Sequence, residues 1–506
     1  MEFFQGISYG FSVALTFNNL LACFVGVVIG TVVGVLPGIG PTGAMAILLP
    51  ATFGQNPATA LIMLAGIFYG TMYGGTITSI LLNVPGEATS VVTCIDGFQM
   101  ARKGRGGAAL AVAAVGSFIA GTLGNAALMV FAPFLADQAI KFGPPEYFAI
   151  MFVGLILLSR IGEESVIRSF IMVGLGLVLG TVGMEISSGI TRFTFGQIEL
   201  SKGIGLIPVA MGLYGISEVL IIAEQITGIP SVIKVKLREL LPTREEWRRA
   251  TPAMFRGSGI GFGVGLIPGP AAIISTFYSY VLEKRISKHS EEFGKGAIEG
   301  VAGPEAANNG ASVAVMVPLL ALGIPFGAAA AILLGGLMVH GVQPGPLLIS
   351  KNPDIFWGVI ASMYIGNVML LVLNLPMVGV FTSILRIPQH FLMALILVFC
   401  VIGAYSVDNS VLDVWILIGT GIIGYFLRKV GFNMAPLILG LVLGPMMEEK
   451  FVSSLMMTRG NILEILLRPL TAAIFAMGII ALALPSLIKL FRAMSQKSIH
   501  RKKKMI

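Results

Sequence analysis

Two interruptions, each at the end of a long apolar run, constrain this chain more than any other feature. Gly30–Pro41 reads GTVVGVLPGIGP and Gly261–Pro270 reads GFGVGLIPGP. Both fit G-x-x-x-G-x-x-P-G. Gly30, Gly34, Pro37 and Gly38 answer to Gly261, Gly265, Pro268 and Gly269, at an offset of 231 residues in a chain of 506. Proline removes a backbone donor and glycine opens dihedrals closed to other residues. Within a bilayer such a break is tolerated only where the freed backbone faces protein or a wet cavity. Two breaks in matching places of two halves point to the binding site of a transporter.

The solvent implied by this sequence is lipid. Hydrophobic residues make up 56% of the chain and charged residues 11%, with a mean hydropathy of +0.90. An average soluble domain carries about 25% charged residues. Spans of roughly 20 apolar residues recur, and the 64 glycines suit close helix packing. The expected fold is an all-α polytopic membrane protein, with about 10–14 membrane helices or half-helices at that span length. Phe11–Leu36 reads as a first membrane helix rather than a cleaved signal, because MEFFQGIS lacks a basic segment. The net charge of +8 sits in a few loops and marks topology, not nucleic-acid binding. Cys23, Cys94 and Cys400 form no C-x-x-C pair, so neither a disulfide frame nor a zinc site is expected.

Charge also divides the chain. Residues 1–231 form a first transmembrane repeat, 232–254 a polar cytoplasmic linker, 255–490 a second repeat and 491–506 a basic cytoplasmic tail. A second break, Asn83-Val84-Pro85-Gly86, is echoed by Gly323-Ile324-Pro325 at an offset of 240. The loop after the first break is uncharged in the first half (Gly54–Pro57) and basic in the second (Lys284–Lys295). After the second break the bias reverses: Arg102–Arg105 is basic, and Val339–Pro346 has no Lys or Arg. Under the positive-inside rule, equivalent loops then lie on opposite sides, as inverted-topology repeats require.

Candidate site residues follow from the breaks. A half-helix that starts after a Pro-Gly break offers unpaired N–H groups and the positive end of its dipole to an anion. Gly38, Gly40, Thr42 and Gly269 would form such a site; the bland alternative is that these prolines merely kink packed helices. At the second pair of breaks, Asn83, Gly86, Thr89, Ser90 and Gly323 could bind sodium or a carboxylate through carbonyls and hydroxyls. Thr89 and Ser90 could equally cap the helix that follows. Intramembrane carboxylates are candidates for ion coupling. Glu305 shares a helical face with Asn308 and Asn309, though a cap at Pro304-Glu305 explains it as well. Asp96 is a further candidate, or an interfacial partner of the basic loop six residues on. His340 reads as a loop residue. Walker A, H-E-x-x-H and G-x-S-x-G motifs are absent from the sequence, so no enzymatic activity, cofactor or ATP hydrolysis is expected. The driving force must come from an ion gradient or a partner.

The chain resembles the large membrane subunit of tripartite tricarboxylate transporters. The resemblance rests on GVLPGIGP, on the run from Tyr69 to Leu110 (YGTMYGGTITSILLNVPGEATSVVTCIDGFQMARKGRGGAAL), on SYVLEKRISKHSEEFGKGAIEGVAGPEAANN and on HGVQPGP. It implies a secondary transporter of a bacterial or archaeal cytoplasmic membrane that imports carboxylates, citrate being the best known, with sodium or protons. It also implies two partners, a small membrane subunit and an extracytoplasmic solute-binding protein, and a substrate site enclosed by the Pro-Gly loops. Two segments depart from the family pattern. Where the family reads like PGAGAD this chain has Pro268-Gly269-Pro270-Ala271-Ala272-Ile273, and where it reads like GIPGS this chain has Gly323-Ile324-Pro325-Phe326-Gly327. The alternatives are a stand-alone secondary transporter and a non-transporting scaffold or sensor.

Overall fold

A computed structural model describes residues 3–36, 38–160, 165–185, 188–224, 240–384 and 389–482. Helices account for nearly all of it. The first half runs through α1 (Phe3–Ala14), α2 (Phe17–Val35), α3 (Gly40–Leu48), α4 (Pro57–Leu82), α5 (Val91–Arg102), α6 (Gly106–Ala139), α7 (Pro144–Arg160) and α8 (Val166–Gly180). A two-residue antiparallel ribbon pairs Gly183–Met184 with Thr191–Arg192. Then come α9 (Leu206–Met211), a π-turn (Gly212–Ile216) and α10 (Ser217–Glu224). The second half comprises α11 (Arg244–Gly265), α12 (Ala271–Ile286), α13 (Glu299–Ala314), α14 (Met316–Leu322), α15 (Ala328–Val339), α16 (Leu348–Lys351), α17 (Pro353–Asn374), α18 (Val378–Ile384), α19 (Gln389–Asp408), α20 (Val411–Lys429), α21 (Ala435–Met457) and α22 (Ile462–Leu467). Among the described residues, eight helices are long and apolar enough to cross a membrane, so the chain is a multi-pass membrane protein.

The two halves share a packing unit built on small residues. Gly26, Gly30 and Gly34 of α2 abut the backbone of Met63, Ile67 and Thr71 on α4 so closely that a Cβ at any of them would collide with it. Gly257, Gly261 and Gly265 of α11 stand in the same relation to Gly303, Ala307 and Ala311 of α13. The glycines keep the 231-residue offset and their partners the 240-residue offset of the second breaks. Small residues every four positions let two helix backbones touch, which is how helices associate when lipid gives no hydrophobic drive between them. The helices α4 and α13 are buried along nearly their whole length, while α19 and α20 expose apolar side chains such as Phe391, Ile402, Trp415 and Ile423 at the periphery.

Charge separates the two ends of the molecule. Lys103 Nζ donates to the carbonyl of Lys295 at 2.6 Å, and Arg105 pairs with Glu246 through Nε at 3.0 Å. Arg249 bonds Glu292 and Glu299 at 2.6 and 2.8 Å. The basic loops of both halves therefore meet. The uncharged loops meet elsewhere: Thr52 Oγ1 lies 3.0 Å from His340 Nε2. The 34-residue α6 starts at the basic loop and ends near Phe142, which shares a cavity with Gly341 and Pro346. At 1.5 Å per residue it covers about 50 Å, so the two ends are opposite faces.

Several expectations need correction. The predicted first helix, Phe11–Leu36, is two helices. Thr16 Oγ1 and Asn19 Nδ2 both donate to the carbonyl of Val13, which ends α1 without proline or glycine. The polar stretch expected as linker is already helical from Arg244, where Thr243 and Glu246 form a reciprocal cap. Residues 232–239 of that linker, Pro37, the ends of the two repeats at 225–231 and 483–490, and the whole tail lie outside the described residues. Pro304 and Glu305 do not cap a helix, because α13 begins at Glu299.

Candidate functional site

The interruptions of both halves converge on one cavity of about 410 Å³. From the first half, Gly38, Gly40 and Thr42 at the start of α3 reach it, with Gly86, Glu87 and Thr89 at the second break. From the second half, Gly269 and Pro270 reach it with Ala271–Ile273 of α12, as do Ala311 and Ser312 of α13 and Gly327–Ala330 at the start of α15. The starts of four helices of eight residues or more, α3, α12, α15 and α21, thus border one space. Gly38 has φ +100° and Gly269 φ +139°, conformations that side-chain-bearing residues rarely adopt. The Gly269 N–H donates to the carbonyl of Phe326 at 3.0 Å, tying the two second-half breaks together.

The remaining sequence candidates separate by position. Glu305 is buried on α13; Thr76 of α4 donates to its Oε2 at 2.8 Å and Thr93 of α5 donates to its Oε1. One turn on, Asn308 Nδ2 donates to Glu87 Oε1 at 2.9 Å, while Asn308 Oδ1 has no hydrogen-bond partner among the described residues. Asn309 Nδ2 donates to Ser117 Oγ at 2.7 Å and to the Glu305 carbonyl at 3.1 Å. Of these residues Glu87 lines the cavity, while Glu305, Asn308 and Asn309 do not; both Glu87 and Glu305 are buried, with no Lys or Arg paired to them among the described residues.

Asp96 does not pair with the basic loop on its own helix. Its Oδ1 accepts from the N–H groups of Gly294, Gly296 and Ala297 at 2.7–2.9 Å, and its Oδ2 accepts from Tyr280 Oη at 2.9 Å. A carboxylate with four donors clasps the second-half loop to α5; those donors, not Arg102, answer its charge. Ser90 does not cap α5 with its side chain; its hydroxyl accepts from the Glu87 N–H at 3.3 Å and donates to the Glu87 carbonyl at 2.9 Å, closing the turn before α5. Asn83 is the left-handed C-cap of α4, with φ 57°, and does not line the cavity. Gly323, left-handed with φ 71°, lines a different cavity of about 600 Å³ beside the uncharged loop Gly341–Pro344, the start of α7, and Glu449 and Lys450 of α21. The two departures from the family pattern also separate. Pro270–Ile273 border the central cavity, whereas Phe326 does not line it and borders a separate small cavity with Met151, Leu155 and Pro268.

Two residues of this region escape sequence reasoning. Glu87 carries a signal that could have been read, a carboxylate directly after a Pro-Gly break; Arg428 carries none, since it lies far in sequence from any break. Glu218 reads in the sequence only as a weaker candidate, one of several carboxylates expected near the interfaces. Arg428, at the end of α20, lines the cavity; its Nη1 donates to Glu218 Oε2, and its guanidinium lies 5.5 Å from the centroid of the Tyr214 ring.

The model of the tripartite tricarboxylate transporter TctA family matches residues 20–439. The uncharacterized 52.8 kDa protein in the TAR-I ttuC' 3' region of Agrobacterium vitis is 46% identical over 479 residues, which is 95% of this chain and 95% of that one. The uncharacterized protein in the TAR-II ttuC' 3' region of the same organism is 43% identical over 221 residues, 44% of this chain and 91% of that one. No solved structure matches. With the family model covering most of the chain, including both Pro-Gly breaks and the cavity they border, the chain belongs to the tripartite tricarboxylate transporter TctA family.

Proposed function

We propose that this chain is the membrane subunit that imports an organic di- or tricarboxylate across the cytoplasmic membrane by alternating access, coupled to sodium or protons. Its partners are a small membrane subunit and an extracytoplasmic solute-binding protein. The observation that carries the reading is the convergence of both Pro-Gly breaks on one cavity. The starts of α3 and α12 bring partial positive charge to a space sized for a small organic anion. Membership of a transporter family supports transport over catalysis.

Coupling is assigned to the buried carboxylates Glu87 and Glu305. A buried carboxylate without a cationic partner carries a heavy desolvation cost, which a bound proton or a cation relieves. Asn308, one turn from Glu305 on α13, bonds Glu87 at the second break of the first half, and Glu305 itself bonds Thr76 of α4. Movement of one half relative to the other would change their surroundings, which is what coupling requires. The meeting of the basic loops at one end and the uncharged loops at the other supports inverted repeats, with the basic end in the cytoplasm.

The test is uptake into liposomes that hold this chain with its two partners. Labelled citrate, malate and succinate are offered under a sodium gradient, a proton gradient or neither. At least one acid should accumulate under one gradient, and none without it. Folded complex that accumulates none of them under either gradient would overturn it.

A further inference from the structure

Arg428 is the one Lys or Arg that lines the central cavity among the described residues. It stands in the last turn of α20 with its side chain 20% exposed and its guanidinium over the Tyr214 ring. A guanidinium has five N–H donors in a planar fork that matches a carboxylate. Among the described residues its one hydrogen-bond partner is Glu218, whose side chain is 8% exposed. That carboxylate has a second neighbour. Its Oε1 lies where a Cβ on Gly38 would be, against the backbone that leads into α3. One protein carboxylate therefore spans the cationic side chain and the first Pro-Gly break. An anionic substrate in this cavity would need those same two features.

We propose that Arg428 receives one carboxylate of the transported anion, and that Glu218 holds that place when the site is empty. Substrate and Glu218 then compete for the same guanidinium. The competition sets a requirement on the substrate: a free carboxylate at that end of the molecule, with a further carboxylate to meet the start of α12 across the cavity. This rests on the transport reading above and adds the residue that would discriminate among anions. Hydrogen bonds between charged groups contribute about 1.5–3 kcal/mol, enough to shift an affinity by about tenfold or more.

The experiment uses the reconstituted complex and whichever of citrate, malate and succinate the unmodified protein takes up fastest, paired with the same acid bearing one carboxylate as an amide. R428Q should raise KM for the acid about tenfold or more and erase the preference for the acid over its amide. R428K should restore part of both. E218Q should lower KM, because it removes the competitor. The opposite signs are diagnostic. A pair that only braces α10 against α20 would give two variants that lose maximal rate and thermal stability together, with KM and the acid-to-amide ratio unchanged, and that result overturns the proposal. If R428Q does not fold, E218Q decides: a lowered KM supports competition, and an unchanged or raised KM refutes it. Uptake of none of the three acids by the unmodified complex refutes the transport reading itself. Uptake that ignores R428Q and E218Q refutes only the assignment of Arg428.

Discussion

Gly38 meets two demands at once. Its φ of +100° excludes side-chain-bearing residues, and its Cα faces the Glu218 carboxylate with no room for a Cβ. Left-handed strain costs about 1–2 kcal/mol, and a collision with a charged side chain adds to it. Gly38→Val should therefore reduce uptake about tenfold or more, at about 1.4 kcal/mol per decade, as measured in proteoliposomes at matched protein density. Full uptake by that variant would remove Gly38 from the site. Glu305 gives a different outcome. E305Q keeps the hydrogen-bonding shape toward Thr76 and Thr93 but loses the charge. Exchange of internal for external substrate should survive while accumulation stops responding to the gradient. Sequence patterns lead to Gly38 and Glu305 because each sits in a local motif. They do not lead to Arg428, since a basic pair at a helix end, Arg428-Lys429, reads as an interfacial anchor. Only the packing of α20 against the π-turn and α10 turns Arg428 toward the cavity.

Among the elements, the glycine seams of α2 with α4 and α11 with α13 bear most directly on stability. At Gly261 the obstacle to a side chain is the Ala307 backbone, which cannot swing aside as a flexible side chain would. Overpacking a close interface costs about 1–3 kcal/mol or more. Gly261→Leu should lower thermal stability in detergent and broaden the size-exclusion peak, whereas Gly259→Leu, where a Cβ meets open space, should do neither. The Asp96 clasp belongs to the same scale. D96N removes a charge that answers four donors across the two halves, and should cost about 2–3 kcal/mol of stability. The KM of the remaining folded protein should stay unchanged, which separates a clasp from an ion-coupling residue. Helix existence and the paired breaks are legible in the sequence because proline, glycine and apolar runs act locally. The split between α1 and α2 is not, because side chains of Thr16 and Asn19 make it by bonding Val13. The role of Asp96 is likewise hidden, since its donors lie some 200 residues away.

At the scale of the whole molecule, both halves border one cavity. The charge of the loops already separated two ends in the sequence, and the structure brings like loops together, basic with basic and uncharged with uncharged. Gln55→Cys, in the uncharged loop of the first half, and Lys288→Cys, in the equivalent basic loop of the second, are both exposed positions. An impermeant thiol reagent applied to intact cells should label the first and spare the second; labelling of both from one side would contradict inverted repeats. The most direct test of the site uses Ala272→Cys, at the start of α12 on the cavity wall, in a protein whose Cys23, Cys94 and Cys400 are replaced by serine. The measurement is the rate at which a small maleimide modifies that thiol, with and without saturating amounts of the transported acid. The acid should slow modification of that thiol, and its amide should slow it less. A rate that the transported acid leaves unchanged would contradict the claim that the anion binds where the two Pro-Gly breaks meet.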